Sequence, residues 1–183
     1  PEYVYGCRDR VDEVFECARS LRSRRFLYIR NYHPHLSHNQ PSVFSDLGLA
    51  RQEITRLVRE EPKKLNKAQM DYAGPEKPAE AFYDCDLDPH NLTNLLEGVM
   101  TVEQQDAFRA HRQAYEAERL RLRDPGAIPE DEMWSWVKGE GKPLHDILRG
   151  KSDRQPDLAK AWRAADLVGR SDFQTALKLL ESD

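Results

Sequence analysis

Cysteine is scarce: Cys7, Cys17 and Cys85 are the three in 183 residues. They are odd in number and lack paired metal-ligand spacing, so a disulfide scaffold is not expected and at least one thiol should be free. There is no basic excess either. Lys and Arg total 28 against 32 Asp and Glu, a net charge of −4, which gives no global attraction to nucleic acid or to anionic membranes and leaves any anion binding local. No apolar run approaches the roughly 20 residues of a membrane-spanning helix, and the opening Glu2-Tyr3-Val4-Tyr5 has no basic-then-apolar leader pattern. A soluble chain is expected, with one ordinary domain or a small domain and an appendage. A hydrolase needs an activated nucleophile, and a metal hydrolase needs several converging ligands. Neither is legible.

What is present has clear order. Residues 2–7 are an aromatic and β-branched run that suits a strand, closed by Gly6 and a charged loop from Arg8 to Glu13. Residues 14–20 and 26–31 flank Leu21-Arg22-Ser23-Arg24-Arg25, the spacing of a hairpin whose second arm is the apolar Phe26-Leu27-Tyr28-Ile29. Together with residues 79–84 they predict a four-stranded antiparallel sheet with a long excursion between its third and fourth strands. The excursion opens on a loop carrying His33, His35 and His38, where Pro34 and Pro41 forbid a regular element. Ser45 or Asp46 can cap a helix to about Glu61, stopped by Pro62 and expected to cover one face of the sheet. Asn66 can cap a second helix over residues 67–72.

From residue 99 the character changes. Thr101-Val102-Glu103-Gln104 is a capping box ahead of strong helix formers to about Arg123, and Asp124-Pro125-Gly126 ends that helix. Pro129 opens another, carrying Met133, Trp134, Trp136 and Val137 and ending at Gly139 and Gly141, ahead of the segment 143–148. Residues 156–181 read as two short amphipathic helices around Gly169-Arg170-Ser171-Asp172, the second aligning Phe173, Ala176, Leu177 and Leu180. Such a pair cannot close a core alone. With the abrupt start at Pro1 it reads as part of something longer, and it resembles the first unit of a HEAT-like array. The expected fold class is α+β: a small four-stranded antiparallel sheet with a covering helix over residues 1–98, then a mostly helical C-terminal extension, 99–155, and the pair at 156–183.

Several groups could carry chemistry. Arg19, Arg22, Arg24, Arg25 and Arg30 fall within 12 residues, and guanidinium forks match sulfate, carboxylate and phosphate oxygens. Arginines on a solvated hairpin tip and edge strand also discourage aggregation, which is the plainer reading; no aromatic platform accompanies them, so a nucleic-acid partner is not expected. Asp84, Asp86 and Asp88 begin like a calcium loop, but Pro89 stands where a glycine belongs and Leu95 where a bidentate glutamate belongs, so a structural turn is expected. The histidines lack acidic or cysteine partners at metal spacing, and no metal site is read. Trp134, Trp136 and Trp162 could stack on sugars, yet their helical settings favour a role as anchors.

Three ordered motifs resemble the C-terminal region of sulfatases, of the arylsulfatase and N-sulfoglucosamine sulfohydrolase kind. The first is Gly6 through Glu13, with Cys7 as one extra residue and Val11 for a methionine. The second is Arg19-Ser20-Leu21-Arg22-Ser23-Arg24-Arg25-Phe26-Leu27-Tyr28-Ile29-Arg30-Asn31-Tyr32, with Leu27 for a common lysine. The third is Phe82-Tyr83-Asp84 leading into Asp88-Pro89-His90-Asn91-Leu92, with Asn91 in place of a glutamate. The resemblance covers residues 5–95. It implies a parent enzyme that hydrolyses a sulfate ester or sulfamate with calcium and a formylglycine made from a Cys or Ser in a C/S-x-P-x-R frame. None of the three cysteines stands in that frame, so the resemblance implies that this chain is not catalytic by itself and that its partner is the N-terminal catalytic domain of the same parent, acting on a sulfated small molecule or glycan, periplasmic or secreted. In that setting Arg8, Asp9 and Arg10 would lie at the mouth of the pocket as substrate-binding residues, with His33 and His35 as further contacts to the sugar. An internal ion-pair cluster is an equal reading of the first three. The competing classes are a protein-interaction module, which predicts exposed apolar stripes over 156–181, and an anion or glycan binder.

Overall fold

In the computed structural model of the protein, residues 2–149, 157–169 and 172–181 are described. The expected Pro156, Arg170 and Ser171 of the last helix pair lie outside them. The fold is α+β: one four-stranded antiparallel sheet and, among the described residues, seven α-helices. Two compact units divide between His111 and Arg112.

The sheet runs in chain order, β1 (Val4–Arg8), β2 (Ala18–Arg22), β3 (Phe26–Asn31) and β4 (Glu80–Asp84). Pairing places Leu21, Tyr28 and Phe82 in one cross-strand row, all three fully buried. The strand period of two puts Phe26 on the same face, where its ring stacks on Phe82 at 5.2 Å. Helix α3 (Val102–Arg121) covers this face through Phe108, 5.4 Å from Phe82 and 6.0 Å from Tyr28, and through His111, 5.4 Å from Phe82. Its capping box forms as expected, with Thr101 Oγ1 accepting from Gln104 N and Gln104 Oε1 accepting from Thr101 N. Burial of each such ring contributes about 1.5–3 kcal/mol.

The covering helix is therefore not the one expected. Helix α1 (Leu49–Glu60), preceded by a short 3-10 turn at Ser45–Leu47, buries no residue. Its charges serve one another, Arg56 pairing with Glu53, Glu60 and Glu61, and a helix so polar has little to gain from closing on a sheet. Helix α2 (Lys67–Ala73) starts at Asn66, whose capping box with Gln69 is complete. The first hairpin arm starts at Ala18 rather than Val14, because Val11 and Val14 bridge each other across a tight turn with Asp12 in the left-handed region, φ 50°.

The edge-strand reading of the arginines is overturned. β2 and β3 are interior strands, and Arg19 and Arg30 are buried, at 1% and 3% exposure. Arg19 forks onto Asp9, 2.8 and 3.2 Å. Arg30 lies 3.9 Å from Glu80, whose other oxygen accepts from the Tyr28 hydroxyl at 2.6 Å. Arg25 reaches Asp84 at 2.7 Å and Glu103 at 2.8 Å. Only Arg24 of the five is exposed.

The second unit is helical: α4 (Glu130–Glu140), α5 (Leu144–Leu148), α6 (Leu158–Val168) and α7 (Phe173–Glu181). Ile128, Trp136, Ile147 and Leu158 form one core, so α6 shares its packing with α4 and α5. Trp162 is fully buried, donates to the Asp124 carbonyl at 2.8 Å and carries Arg119 over its ring at 4.6 Å. Trp136 is also an anchor, but Trp134 is 55% exposed. Gly139 lies inside α4, and Gly141 ends it at φ 62°, where a side chain would be strained. No described helix is long and apolar enough to cross a membrane.

Candidate functional site

The sheet face opposite α3 overlooks a cleft of about 530 Å³ within the first unit. Its floor is apolar, from Ile29, Ala81 and Tyr83 on β3 and β4. The wall is polar, and each side chain arrives from a different segment: Arg8 from the end of β1, His38 and Gln40 from the histidine loop, Arg51 from α1, and Lys67, Asp71 and Tyr72 from α2.

The histidine loop is held from below by charge. Lys77 and Glu16 form a fully buried ion pair, Glu16 accepts from Cys17 N at 3.0 Å, and Lys77 N donates to the Pro34 carbonyl at 2.9 Å. An ion pair removed from water persists only when its remaining bonding capacity is met, and here those bonds tie residue 16 to residue 77 across the excursion. Phe15 and Gln40 add a reciprocal pair of backbone-to-side-chain bonds, 3.1 and 2.8 Å. On the far wall Asn94 pegs the chain after β4: its Oδ1 accepts from Phe82 N at 3.0 Å and Leu96 N at 3.2 Å.

Charges on the lining are mostly matched. Lys67 lies 2.7 Å from Asp71 and 3.6 Å from Glu97, and the Asp71 carboxylate raises its pKa. Arg51 binds Asp46 at 2.6 Å and donates to the Tyr72 hydroxyl at 3.2 Å. Arg8 is exposed at the rim and has no ion pair among the described residues. Burial lowers the pKa of His38, and Lys77 nearby works in the same direction. Burial likewise raises the Tyr83 hydroxyl. The lining thus combines an apolar floor, a ring of mixed donors and acceptors, and one cation, Arg8, without an ion pair among the described residues.

Of the residues singled out from sequence, Arg8 lines this cleft. Asp9 is instead occupied by Arg19, the internal ion-pair reading, and Arg10 donates to the Asp12 carbonyl at 2.9 Å. His33 packs on Phe15 at 5.0 Å and on His35 at 5.9 Å, and neither histidine is on the lining; His38 is. The Asp84, Asp86 and Asp88 segment is a turn: Asp84 carries Arg25 and accepts from Asp86 N, while Asp88 accepts from Thr93 N at 2.7 Å. Asn91, the departure from the expected glutamate, sits at φ 55°, a left-handed conformation that asparagine tolerates. Lys67, Asp71 and Tyr72 carried no sequence signal as a site, since one helix turn of polar residues is ordinary.

Among the described residues no three His, Cys, Asp or Glu side chains converge as a metal's ligand set. All three cysteines are free thiols and none stands in the C/S-x-P-x-R frame. The residues here do not fit calcium or a formylglycine, and no chemical step is assigned to them.

No model of a known protein family matches the chain. Over 131 residues, 72% of its length, it is 32% identical to the Ulvan-active sulfatase of Formosa agariphila, and the matched stretch is 21% of that protein. The chain thus carries a sulfatase-related region and spans about a fifth of the length of the curated relative it matches.

Proposed function

We propose that this chain is the C-terminal region of a sulfatase, a sulfuric ester or sulfamate hydrolase, in which it shapes the substrate side of the cleft and is not hydrolytic by itself. The similarity to the Ulvan-active sulfatase over most of the chain is the observation that carries this reading. The nucleophile and calcium would come from the N-terminal catalytic domain of the same parent. Arg8, His38 and Lys67 would face the saccharide, with Asp9 and Arg10 holding the rim and His33 and His35 supporting the loop behind it. The sulfated substrate's hydroxyls and anion suit the mixed lining described above, and a periplasmic or secreted location follows the same resemblance.

Exposed apolar side chains on the excursion support a docking role for the first unit. Val43, Phe44, Leu47 and Leu49 are 73–83% exposed, beside a loop tied down by the Glu13 carboxylate accepting from Val43 N. Contiguous exposure of this kind marks an interaction surface. A second reading, a protein-interaction module, draws on α7, where Phe173, Leu177 and Leu180 are exposed while Ala176 packs inward.

The test is made in the complete gene product. Arg8→Ala and Lys67→Ala should each raise KM for a sulfated oligosaccharide about tenfold, the worth of one charge-assisted hydrogen bond, with turnover of a small aryl sulfate unchanged. Equal loss on both substrates, or none on either, would remove these residues from substrate contact.

A further inference from the structure

The turn of the β2–β3 hairpin borders an open depression of about 580 Å³, framed by Glu2, Val4, Arg22, Ser23, Arg24 and Arg25. Three of its six lining residues are arginines, in a chain whose net charge is −4. They differ in how their charge is answered. Arg25 is matched twice, by Asp84 and Glu103. Arg24 is exposed and has no carboxylate partner among the described residues. Arg22 is half-buried, and its Nη1 donates to a sulfur, Cys85 Sγ. Burial raises the Cys85 pKa, so that sulfur is a neutral thiol, itself donating to Asn91 Oδ1 at 3.3 Å. A half-buried cation whose partner carries no charge is incompletely compensated.

We propose that Arg22 and Arg24 form a second anion-binding surface, apart from the cleft, that takes a sulfate group of a polysaccharide. Both residues line the depression at one turn, and guanidinium groups suit an oxyanion with several equivalent oxygens. Val4, 59% exposed on the same depression, offers an apolar patch for the face of a sugar ring, and Glu2 offers an acceptor for a hydroxyl. A nucleic acid is disfavoured, because Glu2 repels a continuous phosphate backbone and no aromatic platform lines the depression. The choice of a sulfated saccharide as ligand rests on the function proposed above; the charge argument does not. In a polymer-degrading protein such a surface would hold a strand of substrate while the cleft addresses one residue of it.

The test uses the chain itself, titrated with a heparin tetrasaccharide and with its fully desulfated counterpart, followed by NMR of backbone and arginine side-chain N–H groups. Shifts should centre on residues 22–25, and Arg22→Gln/Arg24→Gln should weaken binding at least tenfold, with the fold checked by circular dichroism. Arg56→Ala, on the far helix and already saturated by three glutamates, should leave affinity within twofold. Equal binding of the desulfated sugar, tighter binding of a single-stranded oligonucleotide, or unchanged affinity in the double variant overturns the proposal. Shifts that centre on Arg8, His38 and Lys67 also overturn it, while leaving the cleft reading intact.

Discussion

Residues up to His111 are tied together by charges far apart in sequence, whereas residues from Arg112 onward are held by apolar packing around two tryptophans. In the first unit Glu16 meets Lys77 and Arg25 meets both Asp84 and Glu103. In the second, Ile128, Trp136, Ile147 and Leu158 form a core, and Trp162 is enclosed beside Arg119. The difference follows from what each must fix. Short helices in sequence order need only bury their stripes. A sheet interrupted by an excursion of some 50 residues must pin that excursion at chosen points, and directional ion pairs do this where non-directional burial would allow slippage.

The largest effects expected are core truncations that separate the units. Trp162→Ala should cost about 3–5 kcal/mol, and Phe82→Ala a similar amount in the other unit. All three tryptophans lie beyond residue 111, so tryptophan fluorescence reports the helical unit and tyrosine signals weigh toward the sheet. If the units melt independently, Phe82→Ala shifts the tyrosine transition and leaves the tryptophan one; a common shift would show them to be one cooperative body.

Next comes the buried ion pair. Lys77→Met leaves the Glu16 carboxylate buried alone and should destabilise the sheet unit by about 3 kcal/mol, while Lys77→Met combined with Glu16→Leu should recover most of that loss. Denaturant midpoints of the two variants decide it. No recovery in the double variant would mean the pair's bonds to the histidine loop, not its charge balance, carry the effect.

Acid should also distinguish the units. His33, His38 and His111 have pKa values lowered chiefly by burial, so the unfolded chain takes up their protons first. Stability of the sheet unit should be level above about pH 6.5, the ordinary imidazole value, and decline as pH falls below it toward their folded values. Asp84 acts lower down. Its hydrogen bonds from Arg25 hold its pKa below the usual carboxylate range, so its contribution is present at neutral pH and lost as the carboxylate is protonated in acid. None of these four residues lies beyond His111, so this loss is expected in the sheet unit. The smallest effect is at the surface: Arg56→Ala should leave the denaturant midpoint nearly unchanged, because solvent screens its ion pairs.

The antiparallel sheet and the excursion were legible in sequence because the apolar runs, the hairpin spacing, the Thr101–Gln104 capping box and the Asn66 cap are local signals. Burial of Arg19 and Arg30 was not. An arginine is read as solvated until its partner is known, and Glu80 is 50 positions from Arg30 along the chain. The covering helix was misplaced for a related reason. The apolar spacing of Leu47, Ile54, Leu57 and Val58 pointed to α1, but its Arg–Glu ladder is satisfied without the sheet, and the sparse Phe108 and His111 of α3 do the covering instead. Of the candidate site, the Arg8 loop could be placed; the contribution of α2 depends on how the excursion folds back, which no local pattern encodes.

Sulfate release tests the central claim most directly. The purified chain, given a sulfated oligosaccharide or an aryl sulfate, should release no sulfate above a heat-denatured control, while the complete gene product should release it from the oligosaccharide. Turnover by the chain alone, or a complete gene product inert toward every sulfate ester and sulfamate offered, would contradict the account.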